Sequence, residues 1–167
     1  MNPPFSIRKY QPSDLEQCRS LWRELTERHR EIYEDPTIGG EHPENHFDKH
    51  LAEVEPNNFW VATSNSKIVG LVGLITKEKA AEIEPLIVSK THRHKGMGKQ
   101  LLNHVIAEAK KLNIQFLTVK PVARNIHAIK FFYKQGFKTL GEIELCLDFC
   151  NYKWKPGLEL FECKFHY

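Results

Sequence analysis

The chain has 167 residues, 41% of them hydrophobic and 27% charged, a composition that supports one globular domain burying roughly 70% of its unfolded surface. A formal net charge of +3 is too small for a nucleic-acid binder, and no apolar run approaches the ~20 residues of a membrane span or forms the core of a secretion signal, so the chain reads as soluble and cytoplasmic. Four cysteines, Cys18, Cys146, Cys150 and Cys163, sit in apolar patterns without Cys-x-x-Cys spacing and read as reduced thiols.

Phe5 to Tyr10 alternates apolar and polar residues as a strand does, and Pro12-Ser13-Asp14 supplies a turn and an N-cap for a helix burying Leu15, Cys18, Leu21, Trp22 and Leu25. The pattern breaks from Glu27 to Glu44, where Pro36, Gly39, Gly40 and Pro43 interrupt an acidic stretch containing Glu31, Tyr33, Glu34, Asp35 and Glu41. A second helix carries Phe47, Leu51 and Val54 and ends before Pro56. His42, His46 and His50 recur every four residues, but Pro43 falls within the run and no cysteine or carboxylate completes a metal signature, so they read as a polar helix face.

Residues 58–63 and 67–75, joined by Ser64-Asn65-Ser66, read as a hairpin of apolar strands. A strand over 82–88, a basic turn, and a helix with Met97, Leu101, Leu102, Val105, Ile106, Ala109 and Leu112 on one face follow. Residues 114–119 form a short strand and 125–135 a helix stopped by Gly136, and 137–149 and 158–165 complete the sheet. Hairpins and helical crossovers in this order predict an α/β domain over 1–167, with a mixed central sheet of about seven strands and about four helices.

The basic turn contains Arg93, His94, Lys95, Gly96 and Gly98, with Lys90 and Lys99 on either side. A helix start has amide N–H groups without intrahelical partners and carries a partial positive charge, so it suits a diphosphate, and glycine lets the backbone approach closely. A dinucleotide fingerprint needs a third glycine where Leu101 stands, and a phosphate-loop lysine needs Ser or Thr after it, where Gln100 follows Lys99. What matches is Arg-x-x-Gly-x-Gly after an apolar strand, and in this the chain resembles the GNAT superfamily of N-acetyltransferases. A second resemblance is Asn125-x-x-Ala128 followed by Phe131, Phe132, Tyr133 and Gly136-Phe137.

The resemblance implies a GNAT-like sheet splayed beside the strand containing Pro85, with acetyl-CoA as acyl donor and no metal. It implies that the backbone of Leu86, Ile87 and Val88 meets the pantetheine and acetyl carbonyl, and that Arg93, His94, Lys95, Gly96, Met97, Gly98 and Lys99 surround the pyrophosphate. Asn125, Ala128 and Phe132 line the remainder of the cofactor site. Attack on a thioester needs a neutral amine, and deprotonating a lysine-like amine at pH 7 costs about 4.6 kcal/mol. Glu82 stands where some members of the family place a glutamate base, and Glu84 shares its face if the alternation persists; either would act through water. Many members carry a tyrosine four residues after Ala128 to protonate the leaving thiolate, where this chain has Phe132. Tyr133, one position on, is rotated by about 100°.

The acidic loop and the segment from Asp148 to Trp154 combine carboxylates with aromatics, which suits a cationic amine, and Tyr33 and Trp154 are the candidate substrate-binding residues. The partners implied are a small-molecule amine, favoured, or a peptide amine, with a homodimer left open and neither nucleic acid nor membrane involved. The alternative is a non-catalytic acyl-CoA-binding regulatory module, motivated by Phe132.

Overall fold

In the computed structural model, which describes residues 5–167, the most apolar strands take the middle of a five-stranded sheet. β1 (Ser6–Lys9), β2 (Phe59–Ser64), β3 (Lys67–Lys77) and β4 (Ala80–Val88) are neighbours in that order and antiparallel, while β5 (Phe116–Thr118) runs parallel to β4. Asn65 and Ser66, at φ 49° and 61°, form the reversal between β2 and β3, a conformation that fits the right-handed twist of a hairpin. β3 is buried without interruption from Ile68 to Leu74, as a central strand covered on both faces must be.

One face is covered by α1 (Leu15–Tyr33) and α2 (Asn45–Val54), which pack Cys18, Leu21, Phe47 and Val54 against Phe59, Val61, Leu71 and Ile87. On the other face lies α3 (Met97–Lys111), with Leu101, Leu102 and Val105 fully buried against β3 and β4. Burial pushes the Cys18 thiol up to about 12. Leu112, placed by periodicity on the apolar face, is instead the exposed residue that ends the helix. No described helix is long and apolar enough to cross a membrane.

Several boundaries depart from expectation. α1 continues past Leu25 to Tyr33, because Arg30 pairs with Glu27 at 2.7 Å and Arg28 with Glu31 at 3.0 Å across its polar last turns. Glu34, at φ 56°, ends the helix, so the acidic loop begins there rather than at Glu27. Asp14 precedes α1 but does not cap it: its carboxylate takes Arg8 at 2.6 and 2.8 Å and the Gln11 amide at 2.8 Å.

The chain clusters into two units, Met1–Lys120 and Pro121–Tyr167. The second contains α4 (Ile126–Lys134) and a separate antiparallel pair, β6 (Pro156–Leu160) and β7 (Cys163–His166). Residues 158–165, read as one strand, are this hairpin, since Phe161 and Glu162 take φ of 52° and 62° and reverse the chain. Residues 137–149 form no strand, so the central sheet has five strands rather than about seven. Their alternation marks two faces but supplies no ladder partner, and a strand needs both. Cys146, Cys150 and Cys163 are exposed free thiols in this unit, not core residues.

Candidate active site

Pro85 cannot donate to a ladder, and β4 accommodates it with a bulge. Val72 pairs with Leu86 and Leu74 with Ile83, leaving Glu84 and Pro85 together opposite Gly73. The Glu84 carbonyl is turned so that a Cβ on Gly73 would overlap it, which is why only glycine fits there. Burial nonetheless alternates along the strand, with Ala81, Ile83, Pro85 and Ile87 inside and Glu82 and Glu84 together on the opposite, more open side.

The Glu82 carboxylate, 15% exposed, accepts from Lys120 Nζ at 2.7 Å. Thr118 Oγ1 donates to the Ala81 carbonyl at 3.2 Å beside it. β5 pairs with β4 only over Ala80–Glu82, so from Ile83 to Val88 the edge of β4 away from β3 has no strand beside it among the described residues. That edge carries the backbone of Leu86, Ile87 and Val88.

After Val88 the Ser89 amide donates to Val69 O at 2.9 Å, and a 3₁₀ turn over Lys90–His92 follows. Glu24 Oε2 of α1 accepts the Lys90 amide at 2.8 Å, tying the turn to that helix. His94 and then Gly96 take φ of 61° and 82°, and α3 starts at Met97. Gln100 N donates to Gly96 O at 3.1 Å, the first bond of the helix, so the amides of Met97, Gly98 and Lys99 have no intrahelical acceptor. A Cβ built on Gly96 meets nothing within 4 Å, so space lies open beside the glycine that precedes these amides. Arg93 and Lys95 brace the turn itself, with Arg93 Nε donating to Val88 O and Lys95 Nζ to Thr91 O, each at 2.9 Å. Met97 is buried and anchors the helix start, whereas Lys99 is exposed.

In the second unit Asn125 caps α4, its Oδ1 accepting the Ala128 amide at 3.1 Å. The Phe132 ring stands edge-on to Phe131 and Phe137, at 5.2 and 5.7 Å, while Lys138 Nζ lies over the Tyr133 ring at 5.5 Å. Trp154 Nε1 donates to Asp148 Oδ2 at 2.9 Å. Asp148 also accepts the Cys150 and Tyr152 amides, and these hydrogen bonds hold its carboxyl below the usual carboxylate range. Tyr33 ends α1 in the first unit. The structure thus brings Glu82, Glu84, Leu86–Val88 and the 93–99 turn together on one strand–turn–helix segment.

The Acetyltransferase (GNAT) family profile matches residues 18–137. The chain belongs to the GNAT family. It is 28% identical over 95 residues to N-acetyltransferase 8 of Homo sapiens, covering 53% of this chain and 42% of that protein. The chain spans about half the length of the curated relatives it matches. A GNAT acetyltransferase from Staphylococcus aureus Mu50 superposes with a TM-score of 0.69 at 22% identity, covering 85% of this chain and 89% of that one. The PaiA N-acetyltransferase from Thermoplasma acidophilum, solved in complex with coenzyme A, gives a TM-score of 0.66 at 25% identity over 80% of this chain and 89% of that one.

Three residues of this GNAT chain that the sequence did not mark out, and His50 in a place other than the one read for it, support the elements around these segments. Lys120 holds Glu82, and Glu24 holds the Lys90 amide. Arg30 reaches across the 34–44 loop to Ile38 O at 2.8 Å and Gly40 O at 2.6 Å. His50, read as part of a polar face, is buried, with Nε2 3.1 Å from Glu84 O. A signal existed for His50, which stands three residues after Phe47 on the apolar side of its helix. For Lys120 and Glu24 the partners lie far away in sequence, and for Arg30 they are backbone carbonyls, so none left a local trace.

Proposed function

We propose that the chain is an acetyl-CoA-dependent N-acetyltransferase in which an acceptor amine attacks the donor thioester directly. The observation that carries this reading is the start of α3, where three amides without intrahelical acceptors follow a left-handed glycine with open space beside it. Such a cradle fits a diphosphate. Met97, Gly98 and Lys99 would hold it through their N–H groups, with Arg93, His94, Lys95 and Gly96 shaping the turn. The open edge of β4 at Leu86–Val88 offers backbone groups to an extended pantetheine arm. By family likeness, Asn125, Ala128 and Phe132 complete the cofactor site.

When bound, acetyl-CoA supplies an activated acyl group; the chain's own residues handle the proton. Glu82 is a half-buried carboxylate kept in place by Lys120, and an amine or water arriving on its side of the strand can give up a proton to it. Glu84, next on the same face and exposed, is the second candidate base. Phe132 has no proton to offer, and Tyr133, one position on, is rotated by about 100° around α4, so the departing thiolate takes its proton from water or from the amine. Tyr133→Phe should therefore leave turnover within about threefold of wild type. A loss of several orders of magnitude with unchanged cofactor binding would make Tyr133 the acid.

The candidate acceptor residues are Tyr33 with the 34–44 loop in the first unit and, separately, Trp154 in the second, and a small-molecule amine is favoured over a peptide. The deciding experiment is calorimetric titration of acetyl-CoA and CoA into wild type and Gly96→Trp, followed by thiol release over a panel of amines and peptides. Binding lost in the variant and acceptor-dependent release in wild type are expected. Binding with no release from any acceptor would favour a regulatory acyl-CoA-binding module, the reading that Phe132 supports.

A further inference from the structure

A bulge takes a residue out of its ladder, so a carbonyl within it needs another donor. In β4 that carbonyl belongs to Glu84. It leans out of the sheet over Gly73, toward α2, and meets His50 Nε2 at 3.1 Å. The His50 ring is 8% exposed and wedged between Trp22, at 5.1 Å between centroids, and Phe59, edge-on at 5.8 Å. Because a carbonyl only accepts, Nε2 must carry a proton in this arrangement. The Phe59 ring also lies against the missing Cβ of Gly73. Helix, strand and bulge therefore meet at a single hydrogen bond. A phenylalanine at position 50 would fill the same space and leave the bulge carbonyl without its donor.

We propose that His50 is a positioning residue, which by holding the Glu84 carbonyl fixes the bulge that aims the Glu84 side chain and sets the backbone path of Leu86–Val88. His50 touches neither the diphosphate turn nor the acceptor loop. Its influence on turnover passes through the β4 backbone, and that part of the proposal rests on the acetyltransferase reading.

The test uses the full chain with His50→Phe, which keeps the ring and loses the donor; His50→Gln, which keeps a donor of similar reach; and His50→Asn, too short to reach. Hydrogen exchange at the Leu86, Ile87 and Val88 amides, measured without any ligand, should rise about tenfold in Phe and Asn, the worth of one hydrogen bond, and stay within about threefold of wild type in Gln. At saturating acetyl-CoA, kcat should fall about tenfold in Phe and Asn and recover in Gln, while CoA affinity falls by a smaller factor, because the turn before α3 is unchanged and only the pantetheine contacts at Leu86–Val88 shift. Unchanged exchange at these amides, or an equal rise throughout β2, β3 and β4, would overturn the proposal and leave His50 an ordinary core residue. Should Phe not fold, the contrast between Asn and Gln decides. A wild type that binds no CoA would remove the acetyltransferase reading, and the exchange contrast would still decide whether His50 holds the bulge.

Discussion

Between Val88 and Met97 the chain turns on backbone conformation, with His94 and Gly96 in the left-handed region and basic side chains folded back onto the turn's own carbonyls. Between Tyr33 and Asn45 it is held by side chains of α1, chiefly Arg30, which spans to Ile38 O and Gly40 O, with Arg23 on Glu44 at 2.8 Å. The first loop presents amides, so what it can hold depends on shape and little on side-chain identity. The second owes its position to these guanidinium groups, chiefly that of Arg30, and to Gly39, at φ 77°, packed against Thr26. If the proposed roles hold, the cofactor would meet the backbone loop and the acceptor the side-chain loop.

The largest effect that would break this contrast is at Gly96. Gly96→Trp should lower CoA affinity by at least about 100-fold, through left-handed strain and by filling the open space, and Gly96→Ala by about tenfold through strain alone. Calorimetry reads both, and a Trp variant that binds like wild type would place the diphosphate elsewhere.

Arg30→Ala removes two hydrogen bonds from a charged donor and should release about 3 kcal/mol of local stability, seen as faster amide exchange over residues 35–41. CoA affinity should stay within about twofold, and an acceptor, once found, should show a raised KM. Arg30→Lys should restore only part of the protection, since an ammonium cannot fork to two carbonyls in fixed geometry. Equal loss of CoA affinity would merge the two loops into one unit.

Asp14→Asn provides a control outside both loops, with an expected loss of about 2 kcal/mol and no change in either ligand. The Arg8 guanidinium, opposed by burial, holds the Asp14 carboxyl below the usual carboxylate range. Its folded value thus lies below its unfolded one. The stabilisation is complete above roughly pH 4 and fades as the pH falls through the folded value. Thermal melts from about pH 7 to about pH 2 should fall more steeply in wild type than in Asp14→Asn.

The smallest effect belongs to Glu24→Gln, where a neutral amide oxygen can still accept the Lys90 amide. A loss of about threefold in CoA affinity is expected, with Glu24→Ala larger.

The residues whose chemistry is a backbone property were the easiest to read. Gly96 permits a left-handed φ and Pro85 removes a ladder donor wherever they occur, so a turn and an irregular strand were to be expected at these positions, and both occur. The strands of the hairpin and the buried face of α3 were legible for the same kind of reason, because periodicity is local. The end of α1 was not. From Glu27 to Tyr33 the helix is polar on most sides and held by pairs such as Arg30 with Glu27, which look like loop composition. Residues 137–149 show the converse, alternating without a partner. Ion pairs such as Lys120 with Glu82 join positions that only the parallel pairing of β4 and β5 brings near. His50 was misread because histidine is polar by type, yet its ring packs as an aromatic.

Glu24 and Arg30 stand on the same helix, six residues and therefore about 9 Å apart along its axis. The first grips the turn before α3 and the second grips the 34–44 loop. α1 is in this sense a lever with a handle at each loop. If occupancy at one handle shifts the helix and changes affinity at the other by some factor, the reverse change must have the same factor. α1 thus ties the two loops to one rigid element, and a displacement of that helix would be felt at both.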